Sequence, residues 1–237
     1  MRFFYWPTPL SINDLQQDKK VSSNLRLPAD LRRDIKIAVV DDQPFAPEHN
    51  LKNNQFQIVT YTDIHKIEQL AEFPIVLCDL QGVGLQLASD LQGAYLIEEI
   101  KRNYPEKAVI AFTGGSTNSN ISKRAILAAD DYLRKDVSIE EWRDVLDKHI
   151  RNLSDPVYVW KQLRLRLIRA DISPIDLLKL EHAYVSSIKA GAKNTKATLE
   201  EALKTSSSDP LVKREIASFV ASKAFDLVIE AMKGLAT

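Results

Sequence analysis

Residues 35–42 read IKIAVVDD and residues 73–80 read FPIVLCDL. Each is a short block of β-branched and aliphatic residues that ends abruptly in aspartate. Blocks this short, without polar–apolar alternation, are how strands buried on both faces read. Three similar blocks complete the set: FQIVTY at 56–61, KAVIAF at 107–112 and the weaker DYL at 131–133. Between and after the later blocks lie helix-like stretches at 63–72, 94–103, 120–129 and 139–152. The last of these opens on Ser138-Ile-Glu-Glu141, a capping-box pattern. Strands alternating with helices predict an α/β domain over 35–152: a doubly wound, five-stranded parallel sheet with helices on both faces.

After residue 152 the strand blocks stop. The remainder, 153–237, reads as an all-α module of about four helices, and residues 1–34 as an N-terminal arm. Asp155-Pro156, Ser173-Pro174 and Asp209-Pro210 each pair an N-cap side chain with proline at the first helical position, where its missing N–H is harmless. Thr198-x-x-Glu201 reads as a further capping box, and Gly191 and Gly234 fall where helices would end. Leu177, Leu180, Tyr184 and Ile188 share one helical face, as do Val212, Ile216 and Phe219.

The rest of the composition narrows the function classes. The 237 residues carry 32 Lys+Arg and 32 Asp+Glu, a formal net charge of zero, so no long-range field draws the chain to nucleic acid or anionic lipid. Residues 1–150 hold 18 basic against 22 acidic side chains and residues 151–237 hold 14 against 10, a mild asymmetry. Lys161, Arg164, Arg166 and Arg169 read as a solvated helix face, and nucleic acid is not expected as a partner. The single cysteine, Cys78, excludes an intrachain disulfide. No apolar run reaches the roughly 18 residues of a membrane span, and the aromatic start, FFYW at 3–6, gives way to polar sequence. A cytoplasmic protein is the expectation.

The chemistry lies at the ends of the strand blocks. Block one ends in Asp41-Asp42, block three in Asp79, block four in Thr113-Gly114-Gly115, and block five runs through Tyr132 to Lys135. In a doubly wound parallel sheet the carboxyl ends of the strands form the ligand crevice, so these residues converge. Three carboxylates at one spot repel unless a cation joins them, and a hard divalent ion such as Mg²⁺ takes carboxylate and carbonyl oxygens. With the Thr113 hydroxyl and the Lys135 ammonium added, the site suits a phosphoryl group under attack by a carboxylate.

The order Asp-Asp, Asp, Thr, Lys at successive strand ends resembles the receiver domain of two-component response regulators, over about half the chain. The resemblance implies the flavodoxin-like strand order 2-1-3-4-5, with Asp79 as phosphoacceptor. It implies Mg²⁺ held by Asp41, Asp42, Asp79 and the Gln81 carbonyl. Thr113 would be the switch hydroxyl, Lys135 the phosphate-contacting lysine, and Tyr132 the aromatic that turns inward on activation. It also implies a histidine kinase or phosphotransfer protein as donor. The recipient would be a downstream protein effector or a second copy, engaged through the fourth and fifth helices and the helical module. The domain would be a phosphoacceptor with slow autodephosphorylation at most, not an enzyme in the usual sense.

The departures from the family pattern are specific. The loop after the acceptor, LQGVGLQLASDLQG at 80–93, is long, with Gly93 as its matching glycine, and Lys135 precedes Asp136 where the family carries proline. Residues 44–54, PFAPEHNLKNN, allow only a short first helix. A short helix leaves Ile37 and Val39 needing another cover, for which the FFYW segment and the helical module are the candidates. Rival readings are a phosphorylation-independent scaffold or phosphate sink and a DNA-binding regulator. A phosphatase of the haloacid dehalogenase type is disfavoured because there the nucleophilic aspartate comes first and the acidic pair last.

Overall fold

The computed structural model describes residues 9–88, 90–192, 194–205 and 209–232. Three short helices, α1 (Ile12–Gln16), α2 (Lys19–Asn24) and α3 (Pro28–Leu31), precede the first strand. Then follow β1 (Lys36–Val40), α4 (Glu48–Asn53), β2 (Gln57–Tyr61), a 3-10 turn (Ile67–Leu70), β3 (Ile75–Asp79), α5 (Gln92–Asn103), β4 (Ala108–Thr113), α6 (Asn120–Ala128), β5 (Asp131–Arg134) and α7 (Ile139–Ser154). The chain continues as α8 (Pro156–Arg169), α9 (Pro174–Lys189), α10 (Thr195–Thr205), α11 (Pro210–Val220) and α12 (Lys223–Met232). The residues form two compact units, Arg26–Leu153 on one side and Met1–Leu25 with Ser154–Thr237 on the other.

In the first unit all five strands are parallel, in the order β2-β1-β3-β4-β5. Register sets which side chains share a face. Ile37 lies beside Ile75, Leu77 beside Ile110, and Phe112 beside Leu133. The alternate residues Ala38, Val40, Val76, Cys78, Val109 and Ala111 form the opposite core, against which Leu96, Ile97 and Ile100 of α5 pack. With β3 and β4 buried at every position, each face needs its own cover.

Helix α4 has six residues, as the prolines predict, yet Ile37 and Val39 are fully buried. The same face carries a cluster of aromatic rings. Phe45 from the loop before α4, Phe112 from β4 and Trp142 from α7 meet pairwise at 5.2–5.6 Å between centroids. Phe45 thus adds aromatic bulk to the packing on the sheet face that Ile37 and Val39 share. The FFYW candidate lies outside the described residues. The segment before β1 is tied down in the same unit: the Arg32 guanidinium pairs with both Asp147 carboxylate oxygens and lies 4.5 Å from the Phe56 ring centre.

In the second unit the core gathers on Trp160, Tyr184, Phe219 and Phe225. Trp160 and Tyr184 stack at 4.8 Å, and the Tyr184 hydroxyl donates to the Pro156 carbonyl. Leu15 of α1 and Val21 of α2 belong to this core. The backbone around them is held by α9, where the Leu10 N–H donates to His182 Nδ1 and the Ile12 N–H to Glu181, both at 2.9 Å. His182 thus anchors the N-terminal segment.

Local signals in the helical part translate directly. Asp155, Ser173 and Asp209 each accept a first-turn N–H, worth about 1 kcal/mol apiece. Gly191 follows α9 at φ 81°, the left-handed conformation that ends a helix. Three expectations need correction. Residues 63–72 hold only the 3-10 turn, because the Asp63 carboxylate takes the N–H of Ile64 and the Gln69 amide oxygen those of His65 and Lys66. Thr198 is no N-cap, since α10 begins at Thr195 and the Thr198 hydroxyl donates back to the Asn194 carbonyl. The described residues after 155 form five helices, not about four, the last two meeting at Ser222 between α11 and α12. Gly234 lies outside the described residues.

Candidate functional site

Four strand ends deliver the site. The β1 ladder continues one residue, with the Asp41 N–H on the Tyr61 carbonyl, so Asp41 leaves the sheet as a buried carboxylate while Asp42 faces solvent. Asp79 is the last residue of β3 and is 3% exposed. Thr113 ends β4, also buried, and its carbonyl accepts the N–H of Lys135, which brings that lysine from the end of β5 to the same rim. Residues spread over 95 positions meet because parallel strands all end on one side.

The Lys135 ammonium bridges the two buried acids, 2.9 Å from Asp41 Oδ1 and 2.6 Å from Asp79 Oδ2. The other Asp79 oxygen accepts the Leu80 N–H at 2.7 Å, and Asp41 Oδ1 also accepts the Gln43 N–H. Burial raises the Asp79 pKa above the ordinary 3.8, more than the Lys135 hydrogen bond and charge lower it, and the neighbouring Asp41 adds to the rise. Burial alone would lower Lys135, but its bonds to Asp79 and Asp41 prevail and leave it raised above 10.5. Lys135 therefore stays an ammonium. Beneath the site, burial pushes the Cys78 thiol well up, and it remains a neutral donor to the Asp79 carbonyl.

One ligand oxygen from each of Asp41, Asp42 and Asp79 lies within 4.8 Å of the others. Three carboxylates against one ammonium leave two negative charges uncompensated, which is the charge of one Mg²⁺. Gly82 protects this arrangement. At φ 75° it adopts a backbone that glycine favours, and a Cβ there would fall 2.3 Å from the Asp42 carboxylate. The donor set fits a hard divalent cation.

The remaining predicted residues fall around this centre. The Thr113 hydroxyl accepts the Gly115 N–H at 3.1 Å, and Gly114 and Gly115 leave the space beside Lys135 and Gln81 open. Gln81 lies two residues after Asp79, and its side-chain amide lies opposite Gly115. Tyr132 is already turned in: it packs against the buried core, and its hydroxyl is hidden without a hydrogen-bond partner among the described residues. Lys135 and Asp136 are joined by a trans peptide, with Asp136 paired to Arg134 at 2.9 Å.

Sequence reasoning missed the residues that hold the long loop after Asp79. Asp63 accepts the Gly84 N–H at 2.5 Å, and the Gln92 side chain accepts that of Gly82 at 3.1 Å. Val83 is fully buried in the core between them. These are contacts between parts of the chain 10–21 residues apart with no local signature. Gly93 was legible, as the glycine matching the family pattern, but its reason was not: a Cβ there would lie 2.0 Å from the Asp79 carbonyl oxygen.

With sheet order and strand-end residues both in place, the fold is that of receiver domains. Many solved structures that match about half of this chain are response regulator receivers, while the remainder of the chain is helical. A response regulator from Thermotoga maritima matches with 16% identity over 49% of this chain and 97% of its own, TM-score 0.40. The receiver domain of NtrX from Brucella abortus gives 23% identity, 48% and 97% coverage and TM-score 0.41. A CheY-like receiver from Methanospirillum hungatei gives 21%, 48% and 95%, and 0.38. No family model and no curated protein sequence matches the chain. No helix among the described residues is long and apolar enough to cross a membrane.

Proposed function

We propose that this chain is a phosphorylation-operated signalling protein whose receiver unit accepts a phosphoryl group on Asp79 and whose helical unit passes the signal on. The observation that carries the reading is the Lys135 ammonium held between Asp41 and Asp79 beside the buried Thr113. A carboxylate oxygen of Asp79 attacks phosphorus, the new acyl P–O bond forms as the donor's P–N bond breaks, and the phosphohistidine imidazole leaves with a proton. The donor is a histidine kinase or phosphotransfer protein. Asp41, Asp42, Asp79 and the Gln81 carbonyl would hold Mg²⁺, which supplies charge neutralisation for the entering phosphoryl oxygens.

Lys135 is placed to turn from the acids to a phosphoryl oxygen, and Thr113 to exchange its Gly115 contact for a second. Tyr132, already packed inward with its hydroxyl unpaired among the described residues, would adjust its packing as Thr113 moves. Such a switch biases two pre-existing arrangements of the sheet end and its adjoining helices, and the effector reads the difference. A cytoplasmic setting and a non-enzymatic role accompany this reading.

The test is intact mass after incubation with acetyl phosphate and Mg²⁺, beside an Asp79→Asn variant. A phosphate-sized gain in the wild type alone, abolished by chelator, is the expected outcome. Equal gain in both proteins, or none with either acetyl phosphate or a phosphorylated histidine phosphotransfer domain, refutes it.

A further inference from the structure

The helical unit leaves one concentration of aliphatic side chains outside its core. Leu165 and Ile168 on α8 are 49% and 48% exposed, and Ile175 and Leu178 on α9 are 68% and 54% exposed. Each pair is spaced i,i+3 and so shares a helix face. The helices are joined by the corner at 170–173, where Asp171 takes φ 59° and reverses the chain. Both pairs therefore stand within about two turns of one corner. Isolated exposed aliphatics are ordinary, whereas several gathered at one place mark an interaction site.

The charges around this corner are mostly positive. Lys161 and Arg169 of α8 are exposed and form no ion pair among the described residues, and Arg164 stands 3.6 Å from Glu181. Arg166, the other cation of that helix, turns instead to Glu215 at 3.6 Å. The nearby acids are Glu181, already beside Arg164, Asp176, 3.6 Å from Lys179, and Asp171, so that Lys161 and Arg169 are the cations left over. The basic series that reads as one solvated face in the sequence is thus split, with Leu165 and Ile168 between its cations.

We propose that the α8–α9 corner docks an amphipathic helix of a protein partner whose apolar stripe is flanked by Asp and Glu. Two exposed aliphatic pairs on neighbouring helices offer an apolar surface for the stripe of such a helix, and the cations Lys161 and Arg169 beside it select the flanking charge and speed encounter. A second copy of the same face would bring like charges together. A nucleic acid backbone would meet aliphatic side chains where it needs cations. The inference rests on the helical unit alone and is independent of chemistry at Asp79.

The full-length protein is titrated against a fluorescein-labelled synthetic helix of about 18 residues, with leucine at i, i+3, i+7 and glutamate on the flanks. A charge-reversed lysine version serves as control, and binding is read by anisotropy. The acidic peptide is expected to bind roughly tenfold tighter than the basic one, and more weakly as salt is raised from about 50 to 300 mM. A Leu165→Ser/Ile168→Ser pair and, separately, a Lys161→Glu/Arg169→Glu pair each weaken it by about tenfold. All four positions are exposed, and unchanged circular dichroism confirms folding. Equal binding of the two peptides, no binding, or insensitivity to both pairs overturns the proposal. So does preferential binding to phosphatidylserine vesicles or duplex DNA, or self-association lost in the Leu165/Ile168 variant.

Discussion

Replacing Gly93 by alanine adds one methyl group at the first turn of α5, and the structure says where it goes. The Cβ would lie 2.0 Å from the carbonyl oxygen of Asp79 and 2.9 Å from the Leu80 Cα. Gly93 has no positive φ, so the backbone conformation itself accommodates alanine, and the cost is purely steric. Both clashing atoms are backbone at the end of a fully buried strand, so relief requires moving α5 or β3 by about an ångström. Overpacking of this kind costs about 1–3 kcal/mol and sometimes more, against a helix-propensity gain of under about 1 kcal/mol. A net loss of about 2 kcal/mol is expected, which for a unit of this size lowers Tm by roughly 6–10 °C.

The matched control is Gly115→Ala, whose Cβ would lie 3.4 Å from the flexible Gln81 side-chain amide and which should change Tm little. Scanning calorimetry of both variants measures the difference. Because the clash displaces Asp79, Gly93→Ala should also slow labelling by acetyl phosphate. A Gly93→Ala protein melting within about 2 °C of wild type, or a Gly115→Ala protein equally damaged, would refute the packing argument.

Two further outcomes are expected. Asp79→Asn should stabilise the protein at neutral pH by on the order of 1 kcal/mol, because it removes one of two buried carboxylates sharing a single ammonium. The sign follows from linkage. The folded-state pKa of Asp79 lies above 3.8, so wild-type stability falls as pH rises through that window, and the advantage of Asn should vanish below about pH 3.8. Urea titrations from acid to neutral pH check this, and an advantage that grew toward acid would contradict it. Leu15→Ala, in the N-terminal segment, should cost about 2–5 kcal/mol, because Leu15 is fully buried in the core of α8, α9 and α11. Hydrogen-exchange mass spectrometry should show the loss in 156–232, and loss confined to 36–150 would show the assignment of that segment to be wrong.

Much of the α/β unit and its candidate site could be read directly because the signals are local. A run such as IVLCD must be a buried strand, and in a parallel sheet every such strand ends on the same side, so naming the terminal residues names the site. The caps at Asp155, Ser173 and Asp209 were equally legible, each being a side chain bonding an N–H two or three residues ahead. The stretch 63–72 misled because Asp63 and Gln69 satisfy the backbone by side chain, and Thr198 because its pattern recurs inside a helix.

What remained hidden depends on which surfaces meet. Nothing local shows that Leu15 and Val21 complete a core built by helices more than 130 residues later, since any amphipathic segment could cover that face. Gly93 could be flagged as a glycine, but only the approach of α5 to the Asp79 carbonyl explains why a methyl group is excluded. The sequence thus determined the five buried strands and the acidic site at their ends through chain-local periodicity and the geometry of parallel sheets, while the strand order followed from the family resemblance. Tertiary structure alone decided the cover over Ile37 and Val39, the partner of Arg166 and the aliphatic corner left in water. Those outcomes turn on long-range burial, where many pairings have similar local propensity and only the packed whole selects one.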